Sequence, residues 1–162
     1  MEKGVAPRIA ASWSLDDRWS FGCAGRARTT TQRLGSLNNL ASLYHIQGRY
    51  ADAEPLLKRS LTIKEKALGP DHPDVAESLN NLAELYRIQG RYDDAESFYQ
   101  RSLRLLEKTF GPDHSHVAIA VNNLAALYVE QGSYAFAEAL FKRSLAIGEK
   151  ALGPDHPDVA YR

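Results

Sequence analysis

Three Asn-Asn pairs, Asn38-Asn39, Asn80-Asn81 and Asn122-Asn123, stand in this chain at a constant step of 42 residues. The same step carries Leu40 to Leu82 to Leu124, Tyr44 to Tyr86 to Tyr128, Gly48 to Gly90 to Gly132, Tyr50 to Tyr92 to Tyr134, and Arg59 to Arg101 to Arg143, with no insertion or deletion. A fixed period between about 20 and 50 residues marks stacked supersecondary units, each unable to bury its apolar face alone. The step therefore constrains the fold more tightly than any single motif in the chain.

Within one period the apolar residues follow helical spacing. Leu37, Leu40, Ala41 and Tyr44 obey the i, i+3, i+4, i+7 rule of one buried stripe, which predicts a first helix from about Thr30 to Gln47. Thr30 would accept the free N–H groups of its first turn. Gly48 ends it, because glycine alone enters the left-handed cap conformation without a side-chain penalty. A second helix follows from Tyr50 or Ala51 to Leu68, with Tyr50, Ala53, Leu57 and Leu61 inward. So short a turn allows only an antiparallel pair. In the link Gly69-Pro70-Asp71-His72-Pro73, Gly69 and Pro70 stop one helix and Pro73 opens the next, at a position with no backbone bond to lose. A middle pair is predicted over Pro73–Gln89 and Tyr92–Phe110, and a third over Ser115–Gln131 and Tyr134–Leu152. In the third, Ser115 is expected to serve as the helix cap. The fold class is all-α: a right-handed superhelical solenoid of three antiparallel helix pairs.

Residues 1–28 stand outside the period, with neither a helical nor a strand repeat. Trp13, Trp19 and Phe21 within them suit a poorly ordered leader, a flap over the end of the stack, or a docking peptide. Residues 29–162 hold the three repeats and the start of a fourth, which breaks off in its first turn. An array needs a polar cap at each end, so this end predicts a fragment of a longer array, stacking on a second copy, or residues 155–162 folded back as a minimal cover.

Lys+Arg and Asp+Glu both number 20, giving zero formal net charge. That balance argues against nucleic acid, whose binders carry a basic excess. No apolar run approaches the roughly 18 residues of a membrane span, and the first residues lack a secretory h-region. Cys23 is the single cysteine, which fits a reducing, cytoplasmic setting. No catalytic group, metal or cofactor is expected. His72, His114 and His156 occupy equivalent links and need not converge, Asp71 beside His72 has no nucleophile next to it, and no phosphate-binding glycine motif occurs. Glu54–Lys58 and Glu138–Lys142 are expected as i, i+4 pairs on a solvated face.

The middle unit, with Leu82-Ala83, Tyr86, Gly90, Tyr92, Ala95, Phe98 and Ser102-Leu103, resembles the signature of the tetratricopeptide repeat. Ser102 stands where that family most often has Ala. The step of 42 in place of about 34, and the run LNNLAxLYxxQGxYxxAExxxxRSLxxxEK, are similar to the kinesin light chain subclass. The resemblance covers about residues 30–160. It implies a non-enzymatic interaction scaffold whose first helices line a concave groove for a peptide or partner protein. No heptad segment of the kind that joins a kinesin light chain to its motor is present.

With the apolar stripe buried, the far side of the first helix carries Gly35, Asn38, Asn39, Ser42, His45 and Ile46. The equivalents are Glu77, Asn80, Asn81, Glu84, Arg87 and Ile88, then Ile119, Asn122, Asn123, Ala126, Val129 and Glu130. Two of six positions stay Asn while four vary, as in a scaffold that grips backbone and a surface that distinguishes side chains. An Asn amide can pair both edges of a peptide group; alternatively, successive Asn side chains bond to one another or to helix carbonyls and fix the repeat spacing. Peptide-binding candidates are Asn38, Asn39, Ser42, His45, Asn80, Asn81, Glu84, Arg87, Asn122, Asn123, Ala126 and Glu130. Arg87 and His45 favour an acidic ligand and Glu77, Glu84 and Glu130 oppose it, so the ligand's sign stays open. A self-assembling repeat and a sensor piece of a larger signalling protein are the alternatives.

Overall fold

A computed structural model describes residues 34–152; the segment 1–28, the start at Thr30, His156 and the final link lie outside the described residues. Helix α1 covers 34–46 of the described chain. It is followed by α2 (Tyr50–Leu68), α3 (Pro73–Ile88), α4 (Tyr92–Phe110), α5 (Ser115–Glu130) and α6 (Tyr134–Leu152). Among the described residues there is no strand. Helix α3 packs most heavily on α4 and α5 on α6, while α2·α3 and α4·α5 contacts join one hairpin to the next. The result is an all-α helical repeat solenoid.

The helix ends follow from local chemistry. At the hairpin turns the Arg91 N–H donates to the Tyr86 carbonyl at 2.9 Å and the Gly90 N–H to the Arg87 carbonyl at 3.0 Å. Those are the two bonds of a Schellman cap, and they require the left-handed φ of 72° at Gly90. In the links the cap differs from the sequence expectation. Ser115 is the first helical residue, and the N-cap is His114, whose Nδ1 accepts the His116 N–H at 3.2 Å. His72 does the same for Asp74. The link histidines sit in extended backbone (ψ 136° and 147°), the conformation an N-cap needs, whereas Ser115 is already the first residue of the helix.

The larger of two apolar clusters runs from α2 to α6, with Val75, Leu79, Leu82, Val117, Val121 and Leu127 fully buried. Each such aliphatic side chain contributes roughly 1.5–3 kcal/mol over an exposed one. Where α4 crosses α3, Ser102 is buried and its Oγ donates to the Ala76 carbonyl at 3.1 Å; Ser144 donates to Ala118 at 2.9 Å. The small residue allows the close approach, and its hydroxyl is satisfied there. Ion pairs Arg101–Glu65 and Arg143–Glu107 tie each hairpin to its neighbour at the same register.

Leu40 departs from the expected stripe. It is 39% exposed and Leu43 48%, while their equivalents Leu82 and Leu85 are 0% and 1% exposed. Leu85 is packed into a cluster with Ala41, Ala53 and Leu56 of the preceding hairpin. Helix α1 has no such hairpin ahead of it among the described residues, so the same sequence leaves the same leucines uncovered.

Candidate functional site

Successive first helices leave hollows between them. The α1–α3 hollow, about 220 Å³, is lined by Asn38, Ser42, His45, Ile46, Asn81 and Glu84, with Ala41 and Leu57 as floor. The α3–α5 hollow, about 430 Å³, is lined by Asn80, Asn81, Glu84, Arg87, Asn123 and Ala126, with Tyr99 as floor. Ten of the twelve predicted residues thus fall in or against one continuous run, Glu130 through its ion pair to Arg87. Asn39 and Asn122 line neither hollow; Asn39 is exposed and Asn122 half-buried.

Electrostatics in the second hollow are set by Glu84. Arg87 grips it with two parallel bonds, Nε to Oε2 at 2.9 Å and Nη2 to Oε1 at 2.6 Å, and Tyr99 Oη donates to Oε2 at 2.8 Å. The remaining Arg87 nitrogen pairs with Glu130 of α5. The Arg87 bonds hold the Glu84 carboxyl below its ordinary value against the opposing cost of burial. Burial, and then the Glu84 charge, raises the Tyr99 phenol. Arg87 is therefore already paired with two carboxylates, Glu84 and Glu130, within the repeat stack.

The Asn side chains are differently placed. No hydrogen bond joins any of the six amides to another side chain or to a helix carbonyl among the described residues. Asn80 Oδ1 and, in the first hollow, His45 Nε2 are shielded from solvent and unpaired, a costly state for polar atoms.

Sequence reasoning missed two features. The floor comes from the second helices, at a position that changes from Leu57 to Tyr99 to Phe141 across the repeats; a large side chain that varies in type inside an otherwise constant stripe was the available signal. A third hollow of about 330 Å³ opens where α3, α4 and α5 meet, lined by Asp74, Glu77, Asn80, Phe110, His116 and Ile119. Its aromatic side has Phe110 stacked on His114 at 4.6 Å and His116 edge-on at 5.2 Å. The preceding link lacks that side, because Leu68 and Asp74 occupy the positions of Phe110 and His116 one step earlier.

The tetratricopeptide repeat family model matches residues 32–108, 79–150 and 116–161. Among solved structures, BtubC (BKLC) from P. vanneervenii superposes with a TM-score of 0.70 at 28% identity over 79% of this chain and 51% of its own. The nearly identical TPR-like repeats assigned to a kinesin light chain of Podosopora anserina give 0.69 at 28% identity, over 80% of this chain and 61% of theirs. This chain thus spans between half and two thirds of those two relatives. The N-terminal domain of stress-induced protein-1 from C. elegans, 15% identical with a TM-score of 0.59, shares the fold. By its matched repeats and by these neighbours, the chain belongs to the tetratricopeptide repeat family, in the kinesin light chain-like form.

Proposed function

We propose that the chain is a non-enzymatic, cytoplasmic scaffold that holds an extended or helical peptide of a partner protein along the run of hollows between α1, α3 and α5. A tetratricopeptide stack is in general a protein–protein interaction scaffold, and no helix among the described residues is long and apolar enough to cross a membrane. The observation that carries the finer reading is the Oδ1 of Asn80, shielded from solvent and unpaired on the groove face. Polar groups shielded from water are normally hydrogen-bonded, and a bound main chain supplies both the donor and the acceptor an amide wants. The division into a segment 1–28 and a repeat body from residue 29 belongs to the same proposal.

The test is capture from a lysate with the wild type and with Asn80→Ala, Asn81→Ala and Asn123→Ala combined, the three asparagines that line the α3–α5 hollow. Those variants remove no internal hydrogen bond, so far-ultraviolet circular dichroism and thermal midpoint should stay within a few degrees, while capture of specific partners falls at least tenfold. Unchanged capture by a folded triple variant would show that the groove is not the binding surface. A second reading, self-association, is favoured by the uncovered Leu40, Leu43 and Ile46 on α1. A monomer by light scattering at millimolar concentration excludes it.

A further inference from the structure

The hairpin turns of the first two repeats carry an internal arginine that the third has lost. In the first, the Arg49 guanidinium lies 4.2 Å from the Tyr44 ring centroid and is held by Asp52. In the second, Arg91 lies 4.2 Å from the Tyr86 ring, is held by Asp94, and donates through Nη1 to Glu54 Oε2 of the preceding hairpin at 3.2 Å. Glu54 uses its other oxygen for Lys58 at 2.6 Å and Tyr86 Oη at 3.0 Å. A step of 42 onward, Tyr128 and Glu96 remain, but Ser133 replaces the arginine, Phe136 the aspartate and Gln100 the lysine.

What remains is the receptor without its guanidinium. Tyr128 Oη and Gln100 Nε2 both donate to Glu96 Oε1 at 2.7 Å, which reproduces the bonds on Glu54 Oε1. Glu96 Oε2, the counterpart of the atom that takes Arg91, has no partner among the described residues. Around Glu54 two cations balance two carboxylates; the Glu96 carboxylate has no cation paired with it among the described residues. Phe136 lies 5.9 Å from the Tyr128 ring and is 69% exposed, so a second, accessible aromatic ring stands beside the first. Aromatic faces beside a carboxylate suit guanidinium better than ammonium, because guanidinium stacks and hydrogen-bonds in one plane.

We propose that Glu96, Tyr128 and Phe136 form a receptor for an arginine side chain presented by a partner polypeptide, filling the place that Arg91 fills in the sister repeat. None of the three lines the groove hollows described above, and the receptor stands whether or not the groove binds peptide.

The probe is N-acetyl-arginine methylamide, followed by amide and aromatic NMR shifts, with the lysine and citrulline analogues and free L-arginine as further arms. Shifts should centre on Tyr128, Phe136 and Glu96, with the arginine amide at least threefold tighter than the lysine amide and citrulline inactive. Ser133→Arg with Phe136→Asp copies the sister repeats and should weaken binding at least tenfold with helicity unchanged; Glu96→Gln should do the same. The reciprocal Lys58→Gln with Arg91→Ser and Asp94→Phe should open a second site at Tyr86 and Glu54. Equal binding of citrulline, or binding undiminished in Ser133→Arg/Phe136→Asp, overturns the receptor. Tenfold tighter binding of free arginine than of the blocked amide overturns the polypeptide source in favour of a small molecule.

Discussion

Ser60, Ser102 and Ser144 occupy one position a step apart and are all fully buried, yet they differ in what their hydroxyls meet. Ser102 and Ser144 donate to helix carbonyls, and Ser60 Oγ has no partner. Truncation should therefore have opposite signs. Ser102→Ala is expected to lower stability by about 1 kcal/mol through a lost bond, and Ser60→Ala to raise it by a similar amount by removing an unpaired buried hydroxyl. Urea unfolding of both single variants measures this. Glu84 gives a pH-dependent counterpart. Arg87 depresses its carboxyl, so its contribution is full above the unfolded glutamate value near 4.3 and disappears as pH falls through the lower folded value. Glu84→Gln should cost about 1 kcal/mol at pH 7, a modest sum because solvent reaches both partners. The gap between wild type and variant should shrink as pH falls below the unfolded glutamate value; a gap of constant size from pH 7 down through that range would assign the effect to packing.

Single helices show how much of the local structure is dictated by single residues. Gly90 holds φ at 72° with open space where a Cβ would stand, whereas Gly35 is in α1 with ordinary backbone and equally open space. Alanine at Gly90 should cost about 1–2 kcal/mol from the left-handed backbone alone. Alanine at Gly35 should stabilise by about 0.5–1 kcal/mol, since glycine inside a helix is entropically costly. Thermal denaturation of the two variants separates cap conformation from steric fit. The limits of α2 to α6 and the end of α1 were legible to within a residue or two, because glycine, proline and the apolar stripe all act within one turn of chain. The cap residue was not, because His114 and Ser115 are both able to accept an N–H and only the backbone angles decide between them. The Glu54–Lys58 pair was legible as a helix pair. Its attachment to Tyr86 and Arg91 of the next hairpin was not, since that contact depends on how hairpins stack.

Across the whole stack, neighbouring hairpins cover each other's leucines, and stability is expected to grade along the chain. With Leu40 and Leu43 exposed and Leu82, Leu85, Leu124 and Leu127 covered, native-state hydrogen exchange should be faster in α1 than in α3 or α5, by a factor of ten or more. Equal protection of the three helices would mean that α1 is held by contacts outside the described residues. Breaking the tie between hairpins with Glu54→Ala should lower the urea m-value, because the first hairpin would then melt apart from the rest.

The sequence by itself determined the all-α repeat architecture, the helix limits and the face on which the candidate groove lies. Those properties depend on spacing within 42 residues, and spacing is written in the chain. Tertiary structure decided which side chains are satisfied and which are left free. Arg87 is held by Glu84 and Glu130, the shielded Asn80 Oδ1 is unpaired, and Glu96 keeps one oxygen without a partner among the described residues. The pairs that cross from one hairpin to the next, Arg87–Glu130 and Arg91–Glu54 among them, join residues 43 and 37 positions apart, and their geometry is fixed by the packing of one hairpin on the next.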